Sequence, residues 1–246
     1  MKRGLFNFLP QKQFSLESLE NKKVSILGDS ISTLNGWNPM GYNVFYKDGI
    51  CFEADIYNYS DTWWGQVIDY FHCILLANNS WSGSRVTKLP MRTELFPSGC
   101  SSERINGLTI GNETPDIVFV AFGDNDWANG AKLYKCSVPE ESFTDAYQIM
   151  LNKIKNAYPK AKIFCLNLFT TFIPNRPTFV FPKIYQGNNI EDYNRAIAKL
   201  AKKNKCQLVD IYSKNISIST IDGSHPNKDG MTVLARIITQ ELMNIS

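Results

Sequence analysis

Three short segments, far apart in the chain, carry side chains that can do chemistry together. They are residues 28–30 (Gly-Asp-Ser), residues 123–126 (Gly-Asp-Asn-Asp) and residues 222–226 (Asp-Gly-Ser-His-Pro). Between them they supply a hydroxyl, an amide donor and a histidine that follows a carboxylate by three residues. These are the groups needed for acyl transfer through a serine ester, in which a base activates the hydroxyl and fixed donors stabilise an oxyanion.

The histidine count narrows the choice of base, because the chain has only 2 histidines, His72 and His225. His72 lies where a helical pattern meets an apolar run, and its charged form would suit a helix C-terminus, so we interpret it as structural. His225 lies in a polar turn, with Asp222 three residues before it and Pro226, a common first residue of a helix, directly after it. Taken alone, this turn is equally compatible with a simple helix cap.

Length and composition favour a single α/β domain. The chain has 246 residues, 43% of them hydrophobic, and no linker or charge block divides it. We therefore predict an N-terminal extension over residues 1–20 and one catalytic domain over residues 21–246. The formal charge of +3 is too small to indicate a nucleic-acid partner, and no apolar run has the length of a membrane span.

Cysteine usage favours a reducing compartment. The 6 cysteines form no Cys-x-x-Cys pair, so neither a zinc knuckle nor a thioredoxin-type redox site is indicated. The apolar stretch near the N-terminus is short for a signal-peptide core. We therefore expect a cytoplasmic protein, with secretion as the alternative if a signal peptide has been removed. The oligomeric state stays open.

Apolar runs bounded by turn residues predict a parallel sheet that is covered on both faces. The five runs are residues 24–27, 73–77, 117–122, 163–168 and 208–211. Amphipathic helical repeats lie between them; a capping box is predicted at residues 137–140 and a last helix at about 226–243. This alternation predicts a three-layer α/β/α sandwich.

The candidate groups fall at the carboxyl ends of the predicted strands. Ser30 follows the first strand, Gly83 the second, Asn125 the third, and Asp222 and His225 the fifth. Because ligands of parallel α/β sheets bind at this edge, we expect residues far apart in sequence to be neighbours in space. Independent turn motifs would not be expected to align in this way.

Four sequence blocks, in this order, resemble those of the SGNH, or GDSL, hydrolases. They read Ile-Leu-Gly-Asp-Ser at 26–30, Asn-Ser-Trp-Ser-Gly at 79–83, Gly-Asp-Asn-Asp at 123–126 and Asp-Gly-Ser-His-Pro at 222–226. A lone Gly-Asp-Ser is a weak signal, but the four blocks together are specific and span nearly the whole predicted domain. The resemblance implies a flavodoxin-like fold and ester hydrolysis.

The resemblance also implies a role for each residue of the blocks. Ser30 would be the nucleophile, His225 the base and Asp222 the acid that orients the base. The backbone N–H groups of Ser30 and Gly83 and the side-chain amide of Asn125 would form the oxyanion hole. Neutral imidazole can activate a serine hydroxyl, and glycine lets a backbone donor approach closely. Without the other blocks, the glycine and the asparagine would each be read as turn residues.

Three parts of the chain are not explained by the resemblance. Asp124 stands where the family often has a small or neutral residue, and its carboxylate could alter the charge near the site. No block fixes residues 84–115. Residues 169–189, with three prolines and five aromatic residues, are long for a connection and are predicted to form a pocket wall or lid.

Other enzyme designs fit the sequence less well. No Gly-x-Ser-x-Gly elbow occurs, which argues against the α/β-hydrolase arrangement. Neither a P-loop nor a Gly-x-Gly-x-x-Gly fingerprint is present, so nucleotide binding has no motif support. Two histidines, one of them interpreted as structural, leave too few ligands for a catalytic zinc site. We therefore predict neither a cofactor nor a metal.

Tryptophans near the blocks bear on the substrate. Trp37 follows the serine block, Trp81 lies two residues before Gly83, and Trp127 directly follows Asp126. Flat apolar rings near polar donors suit the faces of sugars, although core packing is at least as common for any single tryptophan. We predict these three as substrate-binding residues and a small-molecule or glycan ester as the substrate, with a short acyl group, above all acetate, on a carbohydrate.

Two alternatives stay open. One is a lysophospholipase or thioesterase of the same fold, and the other is a catalytically silent glycan-binding module. Hydrolysis of a chromogenic acetate ester separates an enzyme from a binding module. A series of acyl-chain lengths separates the two enzymatic alternatives.

Overall fold

A five-stranded parallel sheet forms the centre of the protein. The computed structural model describes residues 19–88 and 96–244. The strands are β1 (Lys23–Gly28), β2 (Ile74–Asn78), β3 (Ile117–Ala121), β4 (Lys162–Leu166) and β5 (Gln207–Val209), hydrogen-bonded in the order β2-β1-β3-β4-β5. All four pairings are parallel, which confirms the predicted sheet. The predicted extension over residues 1–20 lies, except for its last two residues, outside the described ranges, and the domain boundary stays a prediction.

Helices cover both faces of the sheet. They are α1 (Asp48–Ala54), α2 (Trp63–Tyr70), α3 (Ser102–Asn106), α4 (Asp124–Ala128), α5 (Phe143–Ala157), α6 (Ile190–Lys203) and α7 (Lys228–Asn244). Apolar side chains of α1, α2 and α7 pack on one face, and those of α3 to α6 pack on the other. Every helix in the described stretches is too short or too polar to span a bilayer.

Strand residues alternate between the two cores because successive side chains of a strand point to opposite faces. In β3, Ile117 and Phe119 pack in the core that contains α2 and α7, whereas Val118 and Val120 pack in the core that contains α5 and α6. The continuous apolar runs of the sequence therefore reflect burial on both sides. The predicted three-layer sandwich is confirmed.

The strand order creates a crevice at one edge of the sheet. The chain leaves β1 for its neighbour β2 and then crosses to β3 on the other side of β1. Loops that leave the carboxyl ends of β1 and β3 therefore diverge to opposite sides, and ligands of open α/β sheets bind at such a switch point. The sequence blocks follow these strands.

The start of α5 differs from the predicted one. The side chain of Ser142 accepts the N–H of Asp145 and caps the helix, and Phe143, its first residue, is fully buried. The predicted capping box at 137–140 is wrong, because Pro139–Glu141 forms a separate 3-10 turn. Burial of Phe143 determines where α5 starts more strongly than the capping signal at Ser137 does.

The start of α7 also lies later than predicted, at Lys228 and not at Pro226. Oδ1 of Asn227 accepts the N–H of Gly230 at 2.9 Å, which places the helix cap after the proline. The carbonyl oxygen of Pro226 instead accepts the hydroxyl of Tyr46 at 2.8 Å. A contact across 180 residues thus holds the end of the histidine turn outside the helix.

The segment 169–189 has structure of its own. Its residues Thr171–Phe172 pair with Ile218–Ser219 in a small parallel ladder, and Ile184–Tyr185 pair with Asn188–Asn189 in an antiparallel one. The first ladder ties the segment to the chain just before the histidine turn. The segment is therefore anchored beside the carboxyl edge of the sheet.

Candidate active site

Ser30 lies in a tight turn at the carboxyl end of β1. Asp29 accepts the backbone N–H of Ile31 through Oδ1 at 3.1 Å and caps the single 3-10 turn that starts at Ser30. Glycine fits closely at position 28, because a Cβ there would lie 2.9 Å from Oγ of Ser32 and 3.2 Å from the carbonyl oxygen of Ala121, so a larger residue would displace its neighbours. The Gly-Asp-Ser sequence therefore fixes the backbone that presents the serine.

The structure brings Ser30, His225 and Asp222 into one hydrogen-bonded chain. Nε2 of His225 lies 2.9 Å from Oγ of Ser30, and Nδ1 lies 2.7 Å from Oδ2 of Asp222. The other oxygen of Asp222 accepts the backbone N–H groups of Ser224 and His225 at 2.9 and 2.8 Å. In this arrangement the imidazole can take the serine proton while the carboxylate holds the proton on Nδ1.

Asp222 is held in its ionised form. Burial disfavours the charge, but the hydrogen bond and the charge of His225, together with two backbone N–H donors, outweigh burial and lower the pKa of Asp222 to about 2. A carboxyl whose pKa falls on folding stabilises the fold above its ordinary pKa of 3.8 and loses this contribution as the pH falls toward 2. The acid partner therefore stays a carboxylate at every pH well above 2.

Phe45 covers one face of the His225 ring, a contact that no sequence motif indicated. The ring centroids are 3.5 Å apart and the planes differ by 11°. The N–H of Phe45 donates to Oγ1 of Thr33 at 2.9 Å, and the fully buried Tyr46 donates to Pro226. The loop after β1 thus orients the histidine as well as the serine. In the sequence, only the adjacent aromatic residues Phe45 and Tyr46 distinguish this loop.

The loop that carries Gly83 lies beside the turn that carries Ser30, and Asn125 is hydrogen-bonded to that loop. The amide of Asn125 donates to the carbonyl of Ser84 at 3.0 Å, and the carbonyl of Gly28 accepts the N–H of Trp81 at 3.1 Å. Gly83 has φ of +80°, a conformation that strains other residues. The second amide hydrogen of Asn125 has no partner among the described residues and can serve an oxyanion.

Arg104 is a central residue that the sequence did not single out. It is fully buried, and its Nη2 donates to the backbone carbonyls of Gly28 at 2.9 Å and Asn79 at 2.8 Å. The guanidinium carbon lies 5.8 Å from the ring centre of Tyr42 and 5.5 Å from that of Phe122. Burial lowers the pKa of Arg104 to about 10. The residue ties the ends of β1 and β2 together, yet in sequence it looks like any solvated helix arginine.

One carboxylate is buried beneath the site, and a second is partly buried beside it. Asp126 accepts the N–H groups of Val86 and Thr87 at 2.9 and 3.0 Å and the hydroxyl of Thr87 at 2.7 Å, so it anchors the chain after Gly83. Asp124 accepts the hydroxyl of Ser224 at 3.1 Å and ties α4 to the histidine turn. Burial raises the pKa of both carboxyls. In the described part of the chain, no group of three or more His, Cys, Asp or Glu side chains could hold a metal ion.

The three candidate substrate-binding tryptophans have different surroundings. Trp37 is 43% exposed and stacks on Tyr59, which packs it against the α2 region. Trp81 lies in the loop that carries Gly83. Trp127 is only 5% exposed and stacks on Phe181 at 5.5 Å. Of the three, Trp127 alone lines the cleft beside the triad.

That cleft has a volume of about 500 Å³. Residues 222–224 of the histidine turn form one part of its wall, α4 forms another, and the segment from Phe169 to Gln186 forms the rest. Its aromatic members are Trp127, Phe169, Phe179, Phe181 and Tyr185. The segment predicted as a wall or lid is therefore a wall of this cleft.

His72 lies at the other end of the sheet. It follows α2, is exposed, and its N–H donates to the carbonyl of Asp69 at 3.2 Å. β2 starts two residues later, so His72 is next to the amino edge of the sheet, whereas the serine turn is at the carboxyl edge. The structure places it in the helix-terminal position that the sequence indicated.

The sequence of nearly the whole described chain matches one known family. A sequence model of the GDSL-like lipase/acylhydrolase family matches residues 22–242. The chain belongs to the GDSL-like lipase/acylhydrolase family. As a member of this family it is a carboxylic ester hydrolase, and the resemblance seen in the four sequence blocks is confirmed.

Solved structures share the fold of this GDSL-like hydrolase. A candidate GDSL-like lipase from Bacteroides uniformis is 25% identical with a TM-score of 0.71, over 94% of this chain and 100% of the other. A second candidate, from Bacteroides ovatus, is 22% identical with a TM-score of 0.69, over 92% and 99%. A carbohydrate esterase family 2 enzyme with a carbohydrate-binding domain, from Corynascus thermopiles, is 17% identical with a TM-score of 0.59, over 91% and 66%. No curated protein matches the chain.

Proposed function

We propose that this GDSL-like hydrolase removes a short acyl group, above all acetate, from a carbohydrate through an acyl-enzyme on Ser30. The observation that carries the proposal is the hydrogen-bonded chain from Ser30 through His225 to Asp222, with distances of 2.9 and 2.7 Å. Both distances are within the reach that proton transfer requires.

The proposed reaction has two stages, acylation and deacylation of Ser30. Nε2 of His225 takes the proton from Ser30 as its Oγ attacks the ester carbonyl carbon, and the carbonyl electron pair moves onto oxygen. That oxyanion accepts hydrogen bonds from the N–H groups of Ser30 and Gly83 and from the amide of Asn125. The tetrahedral intermediate then collapses, and the leaving alcohol takes the proton from Nε2. In the second stage, water attacks the carbonyl carbon of the acyl-enzyme while Nε2 takes a proton from it. This second tetrahedral intermediate collapses, Ser30 takes the proton back from Nε2, and the acid is released.

Two observations support a carbohydrate substrate. The cleft beside the triad combines aromatic rings with polar side chains, the mixed surface that sugars require. One structural neighbour is a carbohydrate esterase family 2 enzyme with a carbohydrate-binding domain. A catalytically silent binding module would have no need of a serine held 2.9 Å from an oriented histidine.

A series of acyl-chain lengths tests the short-acyl part of the proposal. With the alcohol kept constant, kcat/KM is expected to fall by about tenfold or more from acetyl to octanoyl esters. Acetate release from a panel of acetylated glycans then identifies the alcohol. A rise in kcat/KM toward octanoyl would favour the lysophospholipase or thioesterase alternative.

Substitution of Asn125 by alanine tests the oxyanion hole. The loss of one fixed donor is expected to lower kcat by about 10²- to 10³-fold, with a smaller effect on substrate binding. Asn152→Ala is the matched control, because this exposed residue of α5 loses only a surface hydrogen bond from Gln148. Unchanged turnover in a folded Asn125→Ala variant would contradict a role in the oxyanion hole. The side chain of Asn125 would then serve only to hydrogen-bond to Ser84.

A further inference from the structure

The cleft of about 500 Å³ is much larger than an acetyl group needs. A water molecule takes up roughly 30 Å³ in the liquid, and an acetyl group has only three heavy atoms. The cleft therefore has room for a larger part of the substrate than an acetyl group. The two candidates are the alcohol of the ester and a long acyl chain.

The position of the cleft favours the alcohol. His225 has to protonate the leaving oxygen, so the alcohol lies on the histidine side of the reacting carbon. Residues 222–224, directly before His225, form a wall of the cleft. Phe45 covers one face of the imidazole, which closes that side to the substrate.

The wall of the cleft is built against the histidine turn and does not merely lie near it. Thr171 donates its hydroxyl to the carbonyl of Gly223 at 2.6 Å. A Cβ at Gly223 would lie 2.8 Å from the ring of Phe179, so the ring packs directly on the turn. The segment 169–189 is thereby placed relative to the catalytic histidine.

The lining suits a sugar ring better than an alkyl chain. Trp127 and Phe181 form a stacked pair, and Tyr185 lies 6.0 Å from the same tryptophan. The amides of Asn129 and Gln186 line the same cleft. Aromatic faces can stack on the C–H surface of a sugar while amides bind its hydroxyls, whereas an alkyl chain would desolvate these polar groups without pairing them.

The charge of the cleft restricts the alcohol further. Asp124 and Asp222 line it, and none of its described lining residues is Lys, Arg or His. A phosphate in the leaving group would enter this surface without a cationic partner and would meet the ionised Asp222. Phospholipid headgroups and phosphate-bearing thioesters are therefore disfavoured.

We infer that this cleft binds the leaving alcohol of the ester as an uncharged saccharide ring. The inference rests on the proposed function, which it makes more specific. Tyr185, outside the catalytic groups, determines the specificity for the alcohol.

Two ester series, measured on wild type and on Tyr185→Ala, test the inference. The alcohol series holds acetate constant and compares ethyl acetate, acetylated methyl glucoside and acetylated glucose 6-phosphate. The acyl series compares ethyl acetate, butyrate and octanoate. Tyr185→Ala is expected to lower kcat/KM for acetylated methyl glucoside about tenfold more than for ethyl acetate, and wild type is expected to disfavour the phosphorylated ester by at least about tenfold.

Tyr70→Ala is the matched control, since Tyr70 is 46% exposed, Tyr185 is 44% exposed, and Tyr70 ends α2 near the amino edge of the sheet. It is expected to change neither series. Equal losses for all acetate esters in Tyr185→Ala, no loss at all, a loss confined to the longer ethyl esters, or a preference for the phosphorylated ester would each overturn the inference while the esterase function stands.

A binding measurement keeps the inference testable apart from turnover. Methyl glucoside is titrated into the Ser30→Ala variant, and binding is followed by the NMR signals of the sugar. The sugar is expected to bind to this variant. The double variant Ser30→Ala/Tyr185→Ala is expected to bind it about tenfold more weakly. Equal binding by both variants would overturn the inference. Absence of ester hydrolysis by wild type, in contrast, would count against the proposed function itself.

Discussion

Replacing Ser30 by alanine is expected to lower kcat/KM for a chromogenic acetate ester by about 10⁴-fold or more while the protein stays folded. The substitution removes the only atom that the proposed mechanism acylates, so the residual rate comes from the oxyanion donors and substrate binding alone. Ser30 is buried to 6% exposure, but its Oγ contributes little packing volume, so the melting temperature should change by only a few degrees. Initial rates and thermal melts measure the two effects.

Ser213→Ala serves as the control for this experiment. Ser213 is exposed, and its hydroxyl makes only a long hydrogen bond of 3.4 Å to the carbonyl of Asp210. Its loss should leave the rate and the melting temperature nearly unchanged. A Ser30→Ala variant that kept a substantial rate would show that another group carries the acyl intermediate.

Replacing His225 by glutamine is expected to lower kcat by about 10⁴-fold, because the base that activates Ser30 is lost. His72→Gln is the matched control, since His72 is exposed at the end of α2 and should leave the rate unchanged if the variant folds. Serine and histidine act as one unit. The double variant of Ser30 and His225 should therefore be no slower than either single variant.

The Asp222→Asn variant extends this test to the carboxylate that is hydrogen-bonded to His225. The carboxylate of Asp222, whose pKa is lowered to about 2, stays ionised and can accept a hydrogen bond from the Nδ1–H of His225 at every pH well above 2. An amide at this position can present its N–H to Nδ1 and so favour the wrong tautomer, and a loss of about 10³- to 10⁴-fold in kcat is expected.

For the histidines, an active His225→Gln variant beside an inactive His72→Gln variant would contradict the assignment of His225 as the base.

The sequence could indicate that Ser30, His225 and Asp222 lie together because the signals that identify them are local. A tight turn after a strand and a carboxylate three residues before a histidine can be read from neighbouring residues, and parallel topology brings both to one edge. The positions of β1, β3 and β4 follow from apolar runs such as Val24 to Leu27, which are buried on both faces.

The features that the sequence did not predict depend on distant contacts. Arg104 can be recognised as a buried residue that links β1 and β2 only when the three-dimensional positions of the two strand ends are known. Phe45 stacks on a histidine 180 residues away, and Tyr46 holds Pro226 outside α7. Neither position carries a periodic or capping signal, so local reasoning could not assign these contacts.

The tryptophans show the same limit at the substrate site. All three lie near a sequence block, but their surroundings are decided by partners elsewhere in the chain. Phe181 and Tyr185, from the segment after β4, make Trp127 part of a cleft, whereas Tyr59 packs Trp37 toward α2. Spacing along the sequence could not distinguish these positions.

Covalent labelling by a fluorophosphonate tests the central claim most directly, since the probe reacts with an activated serine and needs no knowledge of the natural ester. Mass spectrometry of the digested protein is expected to show one adduct, on the peptide that contains Ser30. The adduct should be absent from Ser30→Ala and strongly reduced in His225→Gln. Labelling that persists in Ser30→Ala, or that lies on another residue of the wild-type protein, would contradict the account.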